Sequence, residues 1–465
     1  MKIAFHGAAR AVTGTKHLIT LTNGTQILLD CGMFQGMGEV TDQLNGYFGF
    51  EPAAVNHVIL SHAHIDHCGL LPRLVGEGFS GNIYATPGTM DLARILLMDS
   101  AKIQEQDAEY LNQHLREGEE PAAPLYTEED VIKTLGQFKI VEYNEPYEID
   151  QRISLRFTDA GHIMGSAAVH LTMLEEGKET TLTFSGDVGR YDDPLLKDPQ
   201  NFPQSDYILL ESTYGDSLHK NLDPIEDLLQ EIINHTCNIK KGKVIIPAFS
   251  VGRTQELLFA LNGLELENRL PDVPVYVDSP LSSLATQVLS NHTEVYNADV
   301  QKVLKVDHDV FNFKGLRFIE SVEESKALNN DPRPCVIISA SGMAEGGRVK
   351  HHIRNNINNQ KNTILMVGYC EPGSLGGKLL AGDKIVQIFR EDYDVIAEVK
   401  SIKSMSAHGD YEDLLRFLGG QDPAKVKQLF LVHGEYDVQQ QFAQKLIDKG
   451  FRHVAIPEQH QEYEI

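Results

Sequence analysis

The chain has 465 residues, more than one hydrophobic core ordinarily serves, so two or three domains are expected. Its hydrophobic fraction of 42% is that of a globular protein, and no apolar run reaches the roughly 18 residues that would span a bilayer. A net charge of −25 argues against a broad nucleic-acid-coating surface, while leaving room for a local cleft with basic walls.

The first residues, "MKIAFHGAARAVTG", read as a strand and not as a secretory leader, so a cytoplasmic protein with no membrane partner is expected. "HLITLTNGTQILLDCG" gives two strands around Asn23-Gly24. "VIL" before His62 is a further strand. The polar stretch from about Asp99 to Glu145 reads as an insertion, helical or loop-like. "ISLRFTDAG" and "AAVHLTMLEEGKETTLTFSGD" return to the strand pattern, the latter as a hairpin.

From Tyr207 the rhythm changes. "YILLES", "KVIIPAF", "PVYVDS", "CVIISAS" and "TILMVGY" are short apolar runs, each followed by a helical segment. That alternation predicts a parallel α/β sheet, whose ligands sit at the carboxyl ends of its strands. After about Val399, "SIKSMSAHGD" and "KQLFLVHGE" read as a return to the first domain. The expected division is 1–206, an inserted domain 207–398, and a return segment 399–465. The five cysteines (Cys31, Cys68, Cys237, Cys335 and Cys370) form no C-x-x-C pair and read as buried thiols.

The chemistry concentrates in "LSHAHIDHCGLLP". His62, His64, Asp66 and His67 fall within six positions, directly after an apolar strand. Imidazole suits zinc, and a carboxylate suits a bridge or a second ion. His62 and His64 can aim at one point, and Asp66 and His67 at a neighbouring one. More ligands must come from elsewhere. The chain offers His162 in "DAGHIMGS", Asp187 in "FSGDVG" and His433 in "LVHGE", each after a strand-like run and each with Gly close behind. Taken alone, His162 or His433 reads as well as an ordinary core or surface histidine.

The series of motifs resembles the metallo-β-lactamase superfamily and, within it, the β-CASP nucleases. Asp30 in "LLDCG", "HAHIDH", His162 and Asp187 follow the four superfamily motifs in order. Glu211 in "LLESTYGD", His408 in "SMSAHGD" and His433 in "LVHGE" follow the three β-CASP motifs. The resemblance covers essentially the whole chain. It implies an αββα sandwich with an inserted parallel α/β domain. It also implies two zinc ions per chain, one held by His62, His64 and His162 and the other by Asp66, His67 and His433, with Asp187 bridging. No appended RNA-binding module is expected.

A two-zinc site suits hydrolysis of a phosphodiester. The catalytic set expected from the sequence is Asp66, Asp187, Glu211 and His408, with His408 as general acid oriented by Glu211. The alternative for that pair is a structural acid–histidine contact at a domain junction. Gly-rich turns in the inserted domain ("SVGRTQE", "SASGMAEGGRVKHH", "GSLGGK") nominate Arg253, Ser339, Ser341, Gly342, Arg348 and Lys378 as phosphate contacts. The expected activity is a zinc-dependent ribonuclease acting on single-stranded RNA. The rivals are a DNA-processing relative, a small-molecule hydrolase and a scaffold without activity. In the DNA branch the last motif is typically apolar, so His433 favours RNA. Small-molecule hydrolases lack the inserted domain, and scaffolds lose ligands. The sequence does not reveal endo- or exonuclease mode, base preference or oligomeric state, and a homodimer stays open.

Overall fold

The structure is a computed structural model that describes every residue except 116–119, 220–223, 369 and 403–404, with Glu39 described for its backbone only. It divides into two compact units, Met1–Leu218 with His408–Ile465, and His219–Ala407.

The first unit is built on two seven-stranded sheets. One runs Gln461–Glu464, Lys2–Gly7, Lys16–Thr20, Gln26–Leu29, His57–Ile59, Asn82–Ala85, Phe138–Ile140; the pairings are antiparallel as far as Gln26–Leu29 and parallel beyond it. The other runs Val454–Ala455, Gln428–Val432, Tyr207–Glu211, Lys178–Phe184, Ala167–Glu175, Ile153–Asp159, Tyr147–Glu148. Strand periodicity assigns the layers. In Tyr207–Glu211, Leu209 enters the core between the sheets with Phe5, Ile59, Leu171 and Phe430, while Ile208 and Leu210 enter a second core on the other face. That second core holds Leu414 and Phe417 of helix Tyr411–Phe417 and Phe442 of helix Tyr436–Asp448. Helices Leu71–Gly76, Pro87–Gln113 and Glu128–Leu135 bury Leu74, Leu92, Leu97 and Val131. The result is the αββα sandwich.

The second unit carries a six-stranded, wholly parallel sheet in the order Leu316–Phe318, Val275–Val277, Val336–Ser339, Val244–Pro247, Thr363–Val367, Glu398–Ile402. Its four inner strands are buried on both faces, which is why they read as continuous apolar runs. A separate hairpin, Ile385–Ile388 with Glu391–Asp394, packs Val386 and Ile388 into the same core as Ile353 and Leu379.

Three expectations change. The insertion begins at 219, not 207, because Tyr207–Glu211 lies in the first unit, parallel to Lys178–Phe184 and Gln428–Val432. It ends at 407, not 398, because Glu398–Ile402 is the edge strand of the inserted sheet beside Thr363–Val367. The stretch 99–145 is not an insertion: helix Pro87–Gln113 runs into it, and Phe138–Ile140 closes the first sheet against Asn82–Ala85. Residues 116–119 of that stretch, 369 of "VGYCEPGSLGG" and 403–404 of "SIKSMSAHGD" lie outside the described residues.

All five cysteines are free and buried. Among the described residues, no helix is long and apolar enough to cross a membrane.

Loops at the strand ends pack backbone on backbone. A Cβ at Gly189 would stand 1.8 Å from the Gly161 carbonyl oxygen, and one at Gly32 would stand 1.7 Å from that of Asp66. Gly189→Ala should therefore push apart the loops that carry Asp187 and His162. The expected loss is roughly 2–3 kcal/mol of stability in the first unit, in the range of overpacking substitutions. Calorimetry and zinc retention on a desalting column would both fall; an unchanged melting temperature would contradict the close contact.

Candidate metal centre

Every residue of the centre follows a strand. His62, His64, Asp66 and His67 follow His57–Ile59, and His162 follows Ile153–Asp159. Asp187 follows Lys178–Phe184, Glu211 ends Tyr207–Glu211, and His433 follows Gln428–Val432. His433 has φ +48, a left-handed backbone, and its N–H donates to the Ala8 carbonyl. Asp30 is likewise left-handed, with φ +58.

Among the described residues the donor atoms fall into four overlapping groups, two of which consist of the expected ligands. In the first, Nδ1 of His64 lies 3.2 Å from Nε2 of His62 and 3.2 Å from Nε2 of His162. Oδ2 of Asp187 stands 3.5 Å and 3.6 Å from the same two Nε2 atoms. In the second, Oδ2 of Asp66 lies 3.3 Å from Nε2 of His433 and 3.9 Å from Nε2 of His67. Oδ1 of Asp187 lies 3.3 Å from Nε2 of His67. The two oxygens of Asp187 thus face one set each.

The rings are oriented from behind. Nδ1 of His67 donates to Oδ2 of Asp30 at 2.6 Å. The Ser61 hydroxyl donates to the same carboxylate at 2.6 Å and accepts from Nδ1 of His62 at 3.0 Å. The Thr213 hydroxyl donates to Oε2 of Glu211 at 2.6 Å and accepts from Nδ1 of His433 at 3.0 Å. The bonds made by Nδ1 of His62, His67 and His433 hold a proton on that nitrogen and turn Nε2 inward.

Burial lowers the proton affinity of His62 far below the ordinary imidazole value and that of His64 to about 4, against the opposing pull of nearby carboxylates. Both rings are neutral, the form that binds metal. Burial would raise the pKa of Asp187, but His433, His67 and His62 outweigh it and hold the carboxyl well below the usual range. Burial likewise works against a proton on His67, yet Asp187, Asp66 and Asp30 raise its pKa well above the ordinary value; a cation would compete with that proton.

These residues fit a cation. Oδ1 of Asp187 is buried without a hydrogen-bond partner. Nδ1 of His64 meets two ring nitrogens at once, and a single N–H cannot satisfy both contacts. A positive ion between the lone pairs answers both problems.

His408 stands beside the centre. Its backbone bridges Gly189, and Asp410 caps helix Tyr411–Phe417 just after it. Its Nδ1 donates to Oε1 of Glu211 at 3.1 Å, so a proton delivered by this ring leaves from Nε2. Glu211 is fully buried and also accepts from the Val188 N–H at 2.7 Å. Burial lowers the pKa of His408, but the charge and hydrogen bond of Glu211 outweigh it and lift the value to about 9.

Residues 14–229 match the metallo-β-lactamase superfamily, 254–379 the Beta-Casp domain, and 392–457 the Zn-dependent metallo-hydrolase RNA specificity domain. The chain belongs to the β-CASP branch of the metallo-β-lactamase superfamily. Ribonuclease TTHA0252 of Thermus thermophilus is 37% identical over 435 residues, covering 94% of this chain and 93% of that protein. An RNase J-like protein of Methanocaldococcus jannaschii is 31% identical over 438 residues, covering 93% and 92%. Transcription termination factor FttA of Methanosarcina mazei is 30% identical, covering 91% of this chain and 65% of that factor. The β-CASP protein is accordingly a metallo-hydrolase of a Zn-dependent family with His/Asp clusters.

The nominated phosphate contacts do not gather in the same way. Arg348 gives Nη1 to Oδ1 of the buried Asp278 at 2.7 Å and Nη2 to the Glu320 carbonyl. Arg253 is buried and paired with Glu256. The Ser339 hydroxyl is spent on the Asp278 carbonyl, and the Ser341 hydroxyl accepts from the Gly346 N–H. Gly342 lies under the Phe249 ring. Lys378 is exposed on helix Leu375–Ala381. Arg253 and Arg348 therefore have structural tasks the sequence does not disclose. Ser61 and Thr213 are the converse, functional supports without a motif of their own; the one cue is that Ser61 stands directly before His62.

Asp30→Asn keeps the shape and removes the charge behind His67. It should weaken zinc binding about 10- to 100-fold, as loss of an outer carboxylate does at metal-ligating histidines. Competition against a fluorescent zinc chelator measures this, and wild-type affinity would rule out the orienting role.

Proposed function

We propose that the protein is a ribonuclease that uses two zinc ions to hydrolyse phosphodiester bonds of single-stranded RNA. The observation that carries this reading is the pair of donor sets facing the two oxygens of Asp187, with His408 and Glu211 beside them. The ribonuclease relatives and the RNA specificity match support RNA as the polymer.

His62, His64 and His162 would hold one ion, Asp66, His67 and His433 the other, and Asp187 both. Bound zinc would supply positive charge for the phosphate oxygens and make a bound water acidic near neutral pH. The remaining work belongs to side chains. Asp66, exposed to 19%, would accept a proton of the attacking water. As the new P–O bond forms and the old one breaks, Nε2 of His408 delivers a proton to the departing oxygen. Glu211 keeps the ring in the right tautomer through Nδ1 and stabilises its charged form. Thr213 links that same carboxylate to His433, so acid and ligand share one anchor.

His408→Ala should lose about 10²- to 10⁴-fold in the rate of RNA cleavage, the usual worth of a general acid, with zinc content and folding near wild type. His64→Ala should lose metal and activity together. On bis(p-nitrophenyl) phosphate, whose leaving group needs no proton, the His408 variant should suffer a smaller penalty. Equal losses on both substrates, at intact zinc occupancy and melting temperature, would assign His408 to phosphate positioning instead. Elemental analysis should give close to two zinc ions per chain, and RNA labelled at either end reports the cleavage mode.

A further inference from the structure

The helix after the Gly-rich turn, Gly347–Asn356, divides its basic residues between two faces. Arg348 and His352, four apart, turn inward to Asp278, with Nε2 of His352 at 2.6 Å from Oδ2. Lys350, His351 and Arg354 occupy the other face. There they surround Phe389: the His351 ring lies 4.5 Å from the Phe389 ring, Nζ of Lys350 5.5 Å from its centroid, and Cζ of Arg354 5.6 Å from it. Phe389 is nevertheless 42% exposed, and Arg390 beside it is exposed as well.

Phe389 and Arg390 form the two-residue turn of the hairpin, with φ of +53 and +66. Such a turn asks for Asn-Gly, because side chains are disfavoured at both positions. A large aromatic and a cation are held at the tip against that preference. Strain of this kind is a reason to look for a task. Neighbouring carboxylates offset the patch in part: Nζ of Lys350 donates to the Glu345 carbonyl at 3.3 Å and lies 3.9 Å from its carboxylate, and Glu391, beside the turn, accepts from the Tyr393 hydroxyl at 2.7 Å. Asp392 and Asp394 alternate onto the hairpin face opposite Val386 and Ile388.

We propose that Phe389, Arg390, Lys350, His351 and Arg354 form a docking platform for single-stranded RNA, a second contact that rests on the ribonuclease reading above. The exposed ring stacks a base, and the flanking cations take the adjacent phosphates. This pairing of aromatic face and basic rim is how proteins hold single strands without reading sequence. In a chain of net charge −25, it concentrates positive charge where a polyanion needs it.

The test uses the full-length, zinc-loaded protein and two variants. Phe389→Asn/Arg390→Gly installs the preferred turn, so the hairpin should be as stable as before or more so. Lys350→Gln/Arg354→Gln removes two cations. Binding is read by fluorescence anisotropy of a labelled 20-nucleotide 2′-O-methyl oligouridylate, and cleavage by kcat and KM on 20- and 4-nucleotide oligouridylates. The turn variant should bind the 20-mer at least fivefold more weakly while its melting temperature holds or rises. The Gln variant should lower the slope of log K against log salt by about 1.4, two contacts at ~0.7 each. KM should rise for the 20-mer alone, with kcat unchanged. Wild-type affinity in both variants overturns the proposal, as does a change in sedimentation coefficient without a change in RNA affinity, which would make this a protein-binding face. Loss of 20-mer binding in the variants, from a wild type that cleaves no RNA, sustains the platform and refutes the ribonuclease reading.

Discussion

The first unit depends on one buried anion. Asp187, exposed to 2%, is surrounded by imidazoles, and each of its oxygens faces a different set. A buried carboxylate without full compensation costs several kcal/mol. His62 and His64 are held neutral by their own burial, while His67, its pKa raised by Asp187, Asp66 and Asp30, supplies part of the compensating charge. A metal ion would take the place of that proton beside the carboxylate. The centre is built so that the apparatus which binds metal is also the one that most needs it. Metal binding and the stability of this unit are coupled for that reason.

The chain reaches that point by topology. Ligands come from segments as far apart as His62 and His433, and they converge because both sheets present strand ends at one edge. The inserted unit runs from His219 to Ala407, so the chain returns to the first unit at His408, which bonds to Glu211 on the last strand before the excursion.

Much of this was legible in the sequence, and unevenly so. The cluster His62–His67 is contiguous, so its chemistry shows without a fold. Asp187, His162 and His433 are single residues, and only the ordered series of motifs distinguished them from ordinary side chains. The domain limits were misplaced because short strand-like runs such as "YILLE" and "EVKSI" do not declare their sheet: the first is decided by Gln428–Val432, far along the chain, and the second by Thr363–Val367. The phosphate contacts suffered from a missing partner. "GGRVKHH" reads as uniformly basic until Asp278 is known to take Arg348 and His352 and leave the alternate face outward.

The buried thiols bear on how the protein withstands oxidants. Burial raises Cys31 and Cys237 to about 12 and Cys335 and Cys370 to about 11, and it lifts Cys68 well above the ordinary thiol value. At neutral pH none is a thiolate, the species that peroxides and electrophiles attack. The metal centre itself draws only on nitrogen and oxygen. Metal sites built on cysteine release their ion when sulfur is oxidised; the donor groups here contain no sulfur to lose.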